Sequence, residues 1–294
     1  PLVILLMPAD MNPDESALYQ STVYDLAAPQ GYRFQVRNTL TAADMQEPGL
    51  EIVIALPPDP GIAALAASAP QVRVLAVNIG GLSAGGNLSV VNSADRPDVT
   101  AFLSGYIAAL LSEDWRTGII LPKDAPDSAV NEQAFSNGRV FYCGLCRSGF
   151  PPFYDYPITV EVPADAKPAE LPAYGDVFRR YMVDVVYVHE AVQTDDLLRA
   201  MALSGVGMIG TRTPTDPTAL ENWIATIQPD YITAIQRAWA DLSAGQTGIS
   251  YPSPLTLTNI NPALLTPGKQ RLADQMLSDL LNGLVDTGAA PSQP

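Results

Sequence analysis

Two cysteines, one histidine and an arginine that follows an apolar run are the residues here with the sharpest chemistry. The cysteines form the run Cys143-Gly144-Leu145-Cys146. That spacing fits a redox pair, a local structural disulfide or two free thiols. A redox pair normally opens a helix, where the dipole lowers the thiol pKa. Here the run closes a helical pattern over 127–142 and precedes Phe150-Pro151-Pro152-Phe153, which favours the structural alternatives. A zinc site needs more Cys or His partners than the lone His189 supplies, so neither metal nor cofactor is expected. The nucleophile elbow Gly-x-Ser-x-Gly and the phosphate loop Gly-x-x-x-x-Gly-Lys-Ser/Thr are both missing from the sequence. Gly80-Gly81 and Gly85-Gly86 do not make a dinucleotide fingerprint. The chain therefore does not read as an enzyme.

What remains is a set of polar residues directly behind apolar runs. Asp10, Met11 and Asn12 follow the first run, Asp59 a later one, and Asn78 the next. Further on come Lys123 and Asp124, then His189 and Glu190, then Arg212, with Gln228 after another run. Asp and Asn hydrogen-bond to hydroxyl or amine groups, but they also favour turns and helix caps. His189 is either a ligand contact or a satisfied structural histidine. The Arg212 guanidinium suits a carboxylate or phosphate, or an ion pair with one of the many acids. Tyr106, Phe135, Phe150, Phe153, Tyr154, Tyr156 and Trp223 offer either a stacking wall or core.

The elements that must position these residues are legible. Apolar, strand-length runs at 2–6, 51–56, 73–77, 117–121, 183–188 and 206–209 alternate with helical patterns. That alternation predicts βαβ units and buried parallel sheets. Further strands are expected at 32–36, 88–91, 158–162, 223–227 and 255–257. Helices are expected at 14–28, 62–68, 97–112, 127–142, 169–181, 193–203, 229–244 and 266–284. Asp14 is the expected cap of the first helix, Pro229 suits a first helical turn, and Gly105 is tolerated inside its helix. The tail over 285–294 reads as frayed. The fold class is α/β, with two Rossmann-like lobes. Open α/β sheets bind ligands beyond the carboxyl ends of their strands, where the polar residues above stand.

Composition narrows the partners. The chain has 294 residues, with 31 acidic against 16 basic side chains and a net charge of −15. Only Lys123, Lys167 and Lys269 are lysines, so nucleic acid and an anionic membrane surface are both disfavoured. No apolar stretch approaches the roughly 20 residues that span a bilayer. Residues 1–7 lack a positive flank and read as a first strand, not as a signal peptide. A start without Met is expected of a mature or trimmed chain.

The order of these pieces resembles a family. The helix Ala101-Phe102-Leu103-Ser104-Gly105-Tyr106-Ile107-Ala108-Ala109-Leu110 resembles the lobe-crossing helix of the basic membrane lipoprotein family. These are substrate-binding proteins of bacterial ABC importers. Gly118-Ile119-Ile120, Pro126, Phe135 and Gly138 resemble the strand, loop and helix that come next. Asp184-Val185-Val186-Tyr187, the run 206–210, Thr226-Ile227-Gln228, Asn259, Leu265 and Lys269 continue the match to the C-terminus. The resemblance implies a type I periplasmic-binding-protein fold with parallel sheets joined by a three-segment hinge at 111–116, 210–224 and 244–255. It implies lobes of 1–111 plus 225–250 and of 112–224 plus 251–294. It also implies an extracytoplasmic monomer that closes on a small polar ligand and docks on a membrane permease. Its membrane link would be an N-terminal lipid anchor outside this chain. The family's nucleoside motif departs here: Asp14 and Ser16 match, but Ala17 stands where a stacking Phe is expected. Gly210-Thr211-Arg212 replaces Gly-Val-Asp, and Gln228 replaces a lysine. The residues that would hold a nucleoside are not in place. A ligand-sensing domain of a receptor or regulator is the alternative role, and an α/β enzyme with an unrecognised site is a third.

Overall fold

The structure, a computed structural model, describes residues 1–93 and 96–289. Its first elements are β1 (Leu2–Leu6), α1 (Pro13–Ala27), β2 (Arg33–Arg37), β3 (Leu50–Ala55), α2 (Ile62–Ser68), β4 (Arg73–Val77) and β5 (Leu88–Ser93). Then follow α3 (Pro97–Leu111), β6 (Thr117–Pro122), α4 (Ser128–Cys143), β7 (Ile158–Val162), α5 (Leu171–Arg180), β8 (Val185–Val188), α6 (Asp195–Leu203) and β9 (Gly207–Gly210). The chain continues through α7 (Pro217–Glu221), β10 (Trp223–Pro229), α8 (Tyr231–Ser243), β11 (Ser250–Ser253), β12 (Leu255–Thr258) and α9 (Pro267–Leu281).

Two compact units result: Pro1–Ala94 with Pro229–Pro254, and Asp95–Gln228 with Leu255–Pro294. The chain passes between them three times. The passages fall next to residues 94, 228 and 254, so the first two hinge segments expected at 111–116 and 210–224 are displaced. Helix α3 accordingly belongs to the second unit and not to the first lobe.

In the first unit the strand order is β11-β5-β4-β3-β1-β2, all parallel. Successive side chains of a strand point to opposite faces, and both faces here are covered. Leu2, Ile4 and Leu6 of β1 pack with Ile62 and Leu65 of α2. Val3 and Leu5 pack on the other face with Tyr19 and Val23 of α1 and Trp239 of α8. The apolar run is continuous because each side chain has a layer to bury against. Strand β11 departs from the sequence expectation, because Tyr251-Pro252-Ser253-Pro254 reads as a turn. It lies at the sheet edge, the place where a strand tolerates proline.

The second unit repeats the pattern with order β12-β10-β9-β8-β6-β7. Ile119, Leu121, Val185 and Tyr187 face α3, α4 and α9. Ile120, Val186, Val188 and Met208 face Phe178 of α5 and Leu197 and Met201 of α6. Helix α3 is buried almost all round, with Gly105 set against the Phe135 backbone and Gly138 of α4 against the Phe102 backbone. Gly105 is thus required at that crossing, beyond the mere tolerance its sequence context implies.

Three local expectations are corrected. Asn12, not Asp14, caps α1: its Oδ1 accepts from the Asp14 amide at 2.9 Å and the Glu15 amide at 3.4 Å. Pro229 ends β10, and Asp230 caps α8 by accepting from the Thr233 amide. The described part of the tail is packed, with Thr287 buried and its hydroxyl donating to Asp98 at 3.1 Å. Residues 290–294 of that tail lie outside the described residues.

Candidate functional site

In each sheet the strand order reverses beside the first strand, between β1 and β3 and between β6 and β8. Such reversals leave a crevice at the carboxyl ends of the strands. The polar residues singled out in the sequence stand at those ends, and their partners differ sharply.

In the first unit, Asp10 is exposed, with no partner for its carboxylate among the described residues. Met11 is partly buried against the core. Asn12 is occupied by its cap on α1. Asp59 is occupied likewise: its Oδ1 accepts from the Gly61 and Ile62 amides, each at 2.9 Å, at the start of α2. Asn78 follows β4 with a left-handed backbone, φ 53°. Asn tolerates that region better than most residues. Its amide donates to the Val91 carbonyl at 2.8 Å. Asn78 lines an open pocket of about 260 Å³ with Gly80, Gly81, Leu82 and Asn92. Asn92 carries no signal of its own in the sequence, because it lies inside β5.

In the second unit, Lys123 and Asp124 are exposed behind β6, and Asp124 is left-handed at φ 60°. His189 follows β8 and is largely covered, with 12% of its side chain exposed. Its Nδ1 accepts from the Ala191 amide at 3.1 Å. The ring proton therefore sits on Nε2, which donates to Asp127 Oδ2 at 3.0 Å. Both ring nitrogens are engaged. Asp127 also accepts from Asn131 Nδ2 at 2.9 Å, one helical turn on. Burial pushes the Asp127 carboxyl up, but the hydrogen bonds from His189 and Asn131 outweigh it, and the net shift is downward.

Glu190 is exposed and accepts from the Thr211 hydroxyl at 3.3 Å. Arg212 is exposed, and its Nη2 donates to the Gln193 carbonyl at 2.9 Å. Gln193 returns the bond from its carboxamide to the Arg212 carbonyl. One bond thus ties the arginine to its own scaffold, and among the described residues it makes no ion pair, the alternative to an anion clamp. Gln228 is half-buried at the end of β10.

The structure therefore brings together His189, Asp127 and Asn131, of which only His189 stands out in the sequence. The missed signal is the i, i+4 spacing of Asp127 and Asn131 at a helix start. Among the described residues no group of three or more His, Cys, Asp or Glu is placed to hold a metal ion. Cys143 and Cys146 are joined in a disulfide at the end of α4. Of the aromatics, Phe135, Tyr156, Tyr106 and Trp223 are buried, whereas Phe150 and Phe153 are exposed.

Neither a family model nor a curated protein matches the sequence. Solved structures do match. An ABC transporter solute-binding protein from Conexibacter woesei superposes with a TM-score of 0.65 at 15% identity, covering 99% of this chain and 98% of that one. The fold is that of the type I periplasmic binding proteins. A second solute-binding protein, from Aeropyrum pernix, gives 0.55 at 15% identity over 97% and 92%. A transcriptional activator of the comK gene from Bacillus halodurans gives 0.61 at 11% identity over 97% and 99%.

Proposed function

We propose that this chain is an extracytoplasmic solute-binding protein of an ABC importer. It captures a small polar ligand with the strand-end loops of its two units, and unit closure retains the ligand for delivery to a permease. The observation that supports the reading is full-length likeness in fold to solute-binding proteins, with polar side chains gathered at both strand-order reversals. Ligand contacts from both units stabilise a closed state over an open one. The loops after β1, β4, β6, β8 and β9 carry those contacts. The basic membrane lipoprotein subgroup is the finer reading, resting on the order of sequence segments.

Native mass spectrometry of the purified protein, followed by thermal shift against nucleosides, sugars and amino acids, tests it. A ligand that binds only the folded state raises stability by about 2.7 kcal/mol at a hundred times its Kd. A co-purifying mass or a clear rise with one chemical class is expected. No bound mass and no shift across the panel would refute a binding role.

The likeness to a transcriptional activator favours one second reading, a ligand-sensing domain. Deleting the gene separates the two. Loss of uptake of the identified ligand supports the importer component. Unchanged uptake with altered transcription supports the sensor.

A further inference from the structure

The second unit carries an apolar surface at the end of its sheet away from the strand-end loops described above. Residues 113–116 precede β6, 144–157 precede β7 and 181–184 precede β8. These strands are parallel, so all three segments lie at their amino ends. There Leu145 is 82% exposed, Phe150 72% and Phe153 71%, and Phe141, Tyr154 and Met182 are each exposed by about half. Apolar residues exposed singly are ordinary. These six are linked by the residues between them. Asp114 Oδ1 accepts from the Gly149 amide at 2.6 Å, while Arg116 donates to the Pro151 carbonyl at 3.4 Å and reaches Met182 Sδ at 3.8 Å. Phe141 and Tyr142 both pack on Tyr106, Tyr142 also on Trp115, and Tyr154 on Tyr181. A large apolar side chain offers about 150–250 Å², so the exposed share of these six is on the order of 700 Å². That exceeds the roughly 300–600 Å² of the largest patch on a typical monomer and approaches the roughly 800 Å² per partner of a standard interface.

The surface is also fixed in advance. The Cys143–Cys146 disulfide closes one end of the loop, Ser148 and Gly149 are fastened to Asp114, and the Tyr156 hydroxyl donates to the Tyr181 carbonyl at 2.6 Å. A pre-ordered surface loses less freedom on association. Charge selects the occupant. The chain carries −15, so two copies repel over most of their surface. At this end, exposed Glu113 and Asp155 are matched by exposed Arg147 and Arg180, and none of the four makes an ion pair among the described residues. Asp114 and Arg116 pair with each other. The local charge balances, and its free acids and bases are self-complementary. A two-fold interface sets a residue of one copy against a different residue of the other, so base meets acid twice. An anionic lipid surface needs a surplus of bases, which this end lacks.

We infer that the amino-end face of the second unit, centred on Leu145, Phe150 and Phe153, is the interface of a two-fold dimer of this chain, in place of the monomer that the family resemblance implies. Arg147 of each copy faces the partner's Asp155. The carboxyl ends of the strands stay uncovered, so the inference is independent of the ligand reading. The test is sedimentation equilibrium of the whole chain across the micromolar range. The expected mass tends to twice the 31.3 kDa of one chain as concentration rises. Phe150→Ser with Phe153→Ser weakens the dimer at least about tenfold and leaves the fold intact by circular dichroism, since both side chains are exposed. Arg147→Glu weakens it about three- to tenfold, and adding Asp155→Arg restores it. Leu18→Ser, at an exposed leucine of the first unit, leaves it unchanged. Should the serine pair fail to fold, the charge reversal and its rescue decide in its place. A monomer at every concentration, or a dimer that the serine pair leaves intact, overturns the inference. A monomer that co-sediments with phosphatidylcholine vesicles through Phe150 and Phe153 overturns it in favour of a lipid surface.

Discussion

The α3–α4 crossing offers the sharpest test of how this protein packs, because two principles predict opposite signs there. Replacing Gly138 by Ala in the middle of α4 gains about 1 kcal/mol of helix propensity. If the site were open, Gly138→Ala would stabilise the protein. The structure leaves no such space: a Cβ at Gly138 lands on the backbone carbonyl of Phe102, and a Cβ at Gly105 lands on that of Phe135. Overpacking a core usually destabilises by about 1–3 kcal/mol when side chains can shift. Here the obstruction is backbone on both sides, so the helices themselves must separate, opening the interface that holds Phe102 and Phe135. The steric cost outweighs the gain in propensity, and the net expected loss is about 2 kcal/mol or more. At about 2–4 °C per kcal/mol for a unit of this size, each single variant melts lower by about 4–8 °C. The double variant loses less than the sum, because helices already pushed apart admit the second methyl more readily. Gly175→Ala in α5 is the internal comparison. Its Cβ meets side chains and not backbone, Met201 Cγ at 2.9 Å and Leu197 Cδ1 at 3.2 Å, so its loss is smaller than that of either crossing glycine. Circular dichroism melts and urea titrations of the parent and these variants measure all of this. A Gly138→Ala or Gly105→Ala protein melting at or above the parent would refute the reasoning.

Acid sensitivity follows from Asp98 and Asp127. Burial pushes both up, but the Arg96 and Thr287 hydrogen bonds on Asp98 and those of His189 and Asn131 on Asp127 outweigh it and hold both below the ordinary carboxylate value. Their stabilisation is complete above about pH 4 and is lost as pH falls through the depressed folded values, so melting temperature drops steeply there and Asp98→Asn flattens the slope. Asp184 has the opposite sign, since burial raises it against the Ser112 hydrogen bond. Asp184→Asn should melt at or above the parent at pH 7, with the advantage gone well below pH 4; a lower melt at pH 7 would contradict the assignment. Reducing the Cys143–Cys146 bond releases a loop of four residues, which the chain-entropy relation values at about 2 kcal/mol, read as a lower melting temperature in dithiothreitol.

Most of the fold is legible in strand pattern. The run Leu2-Val3-Ile4-Leu5-Leu6 has no polar residue because helices cover both faces of its sheet, and that same coverage makes such runs conspicuous in a sequence. What escapes notice are elements whose residues look like turns. Strand β11 carries Pro252 at a sheet edge, and α7 spans five residues opened by Pro217. Unit boundaries escape for a different reason. Helix α3 is apolar on nearly every side, so its pattern announces burial without saying against which sheet. Only the reciprocal glycines facing α4 settle that it packs in the second unit.

The site is less legible, because position at a strand end does not fix what a side chain does there. Asp59 and Asp127 are both acids just ahead of a helix, and the sequence separates them only weakly. Asp59 turns its oxygen to the amides of α2, whereas Asp127 turns away from the amides of α4 toward a histidine 62 residues distant. Partnership across that distance decides which carboxylate keeps capacity for a ligand. The same logic reassigns His189 from contact to support, since a ring with both nitrogens engaged has none left to offer. Arg212 is the opposite case, because only its Nη2 is bound, to the Gln193 carbonyl, and the rest of its fork keeps donors for an anion. Judged by remaining hydrogen-bond capacity rather than by residue type, the second unit's strand ends present acceptors on Asp124, Asp127 and Glu190 and donors on Lys123 and Arg212. The chemistry of the ligand is bounded by that surplus before any ligand is known.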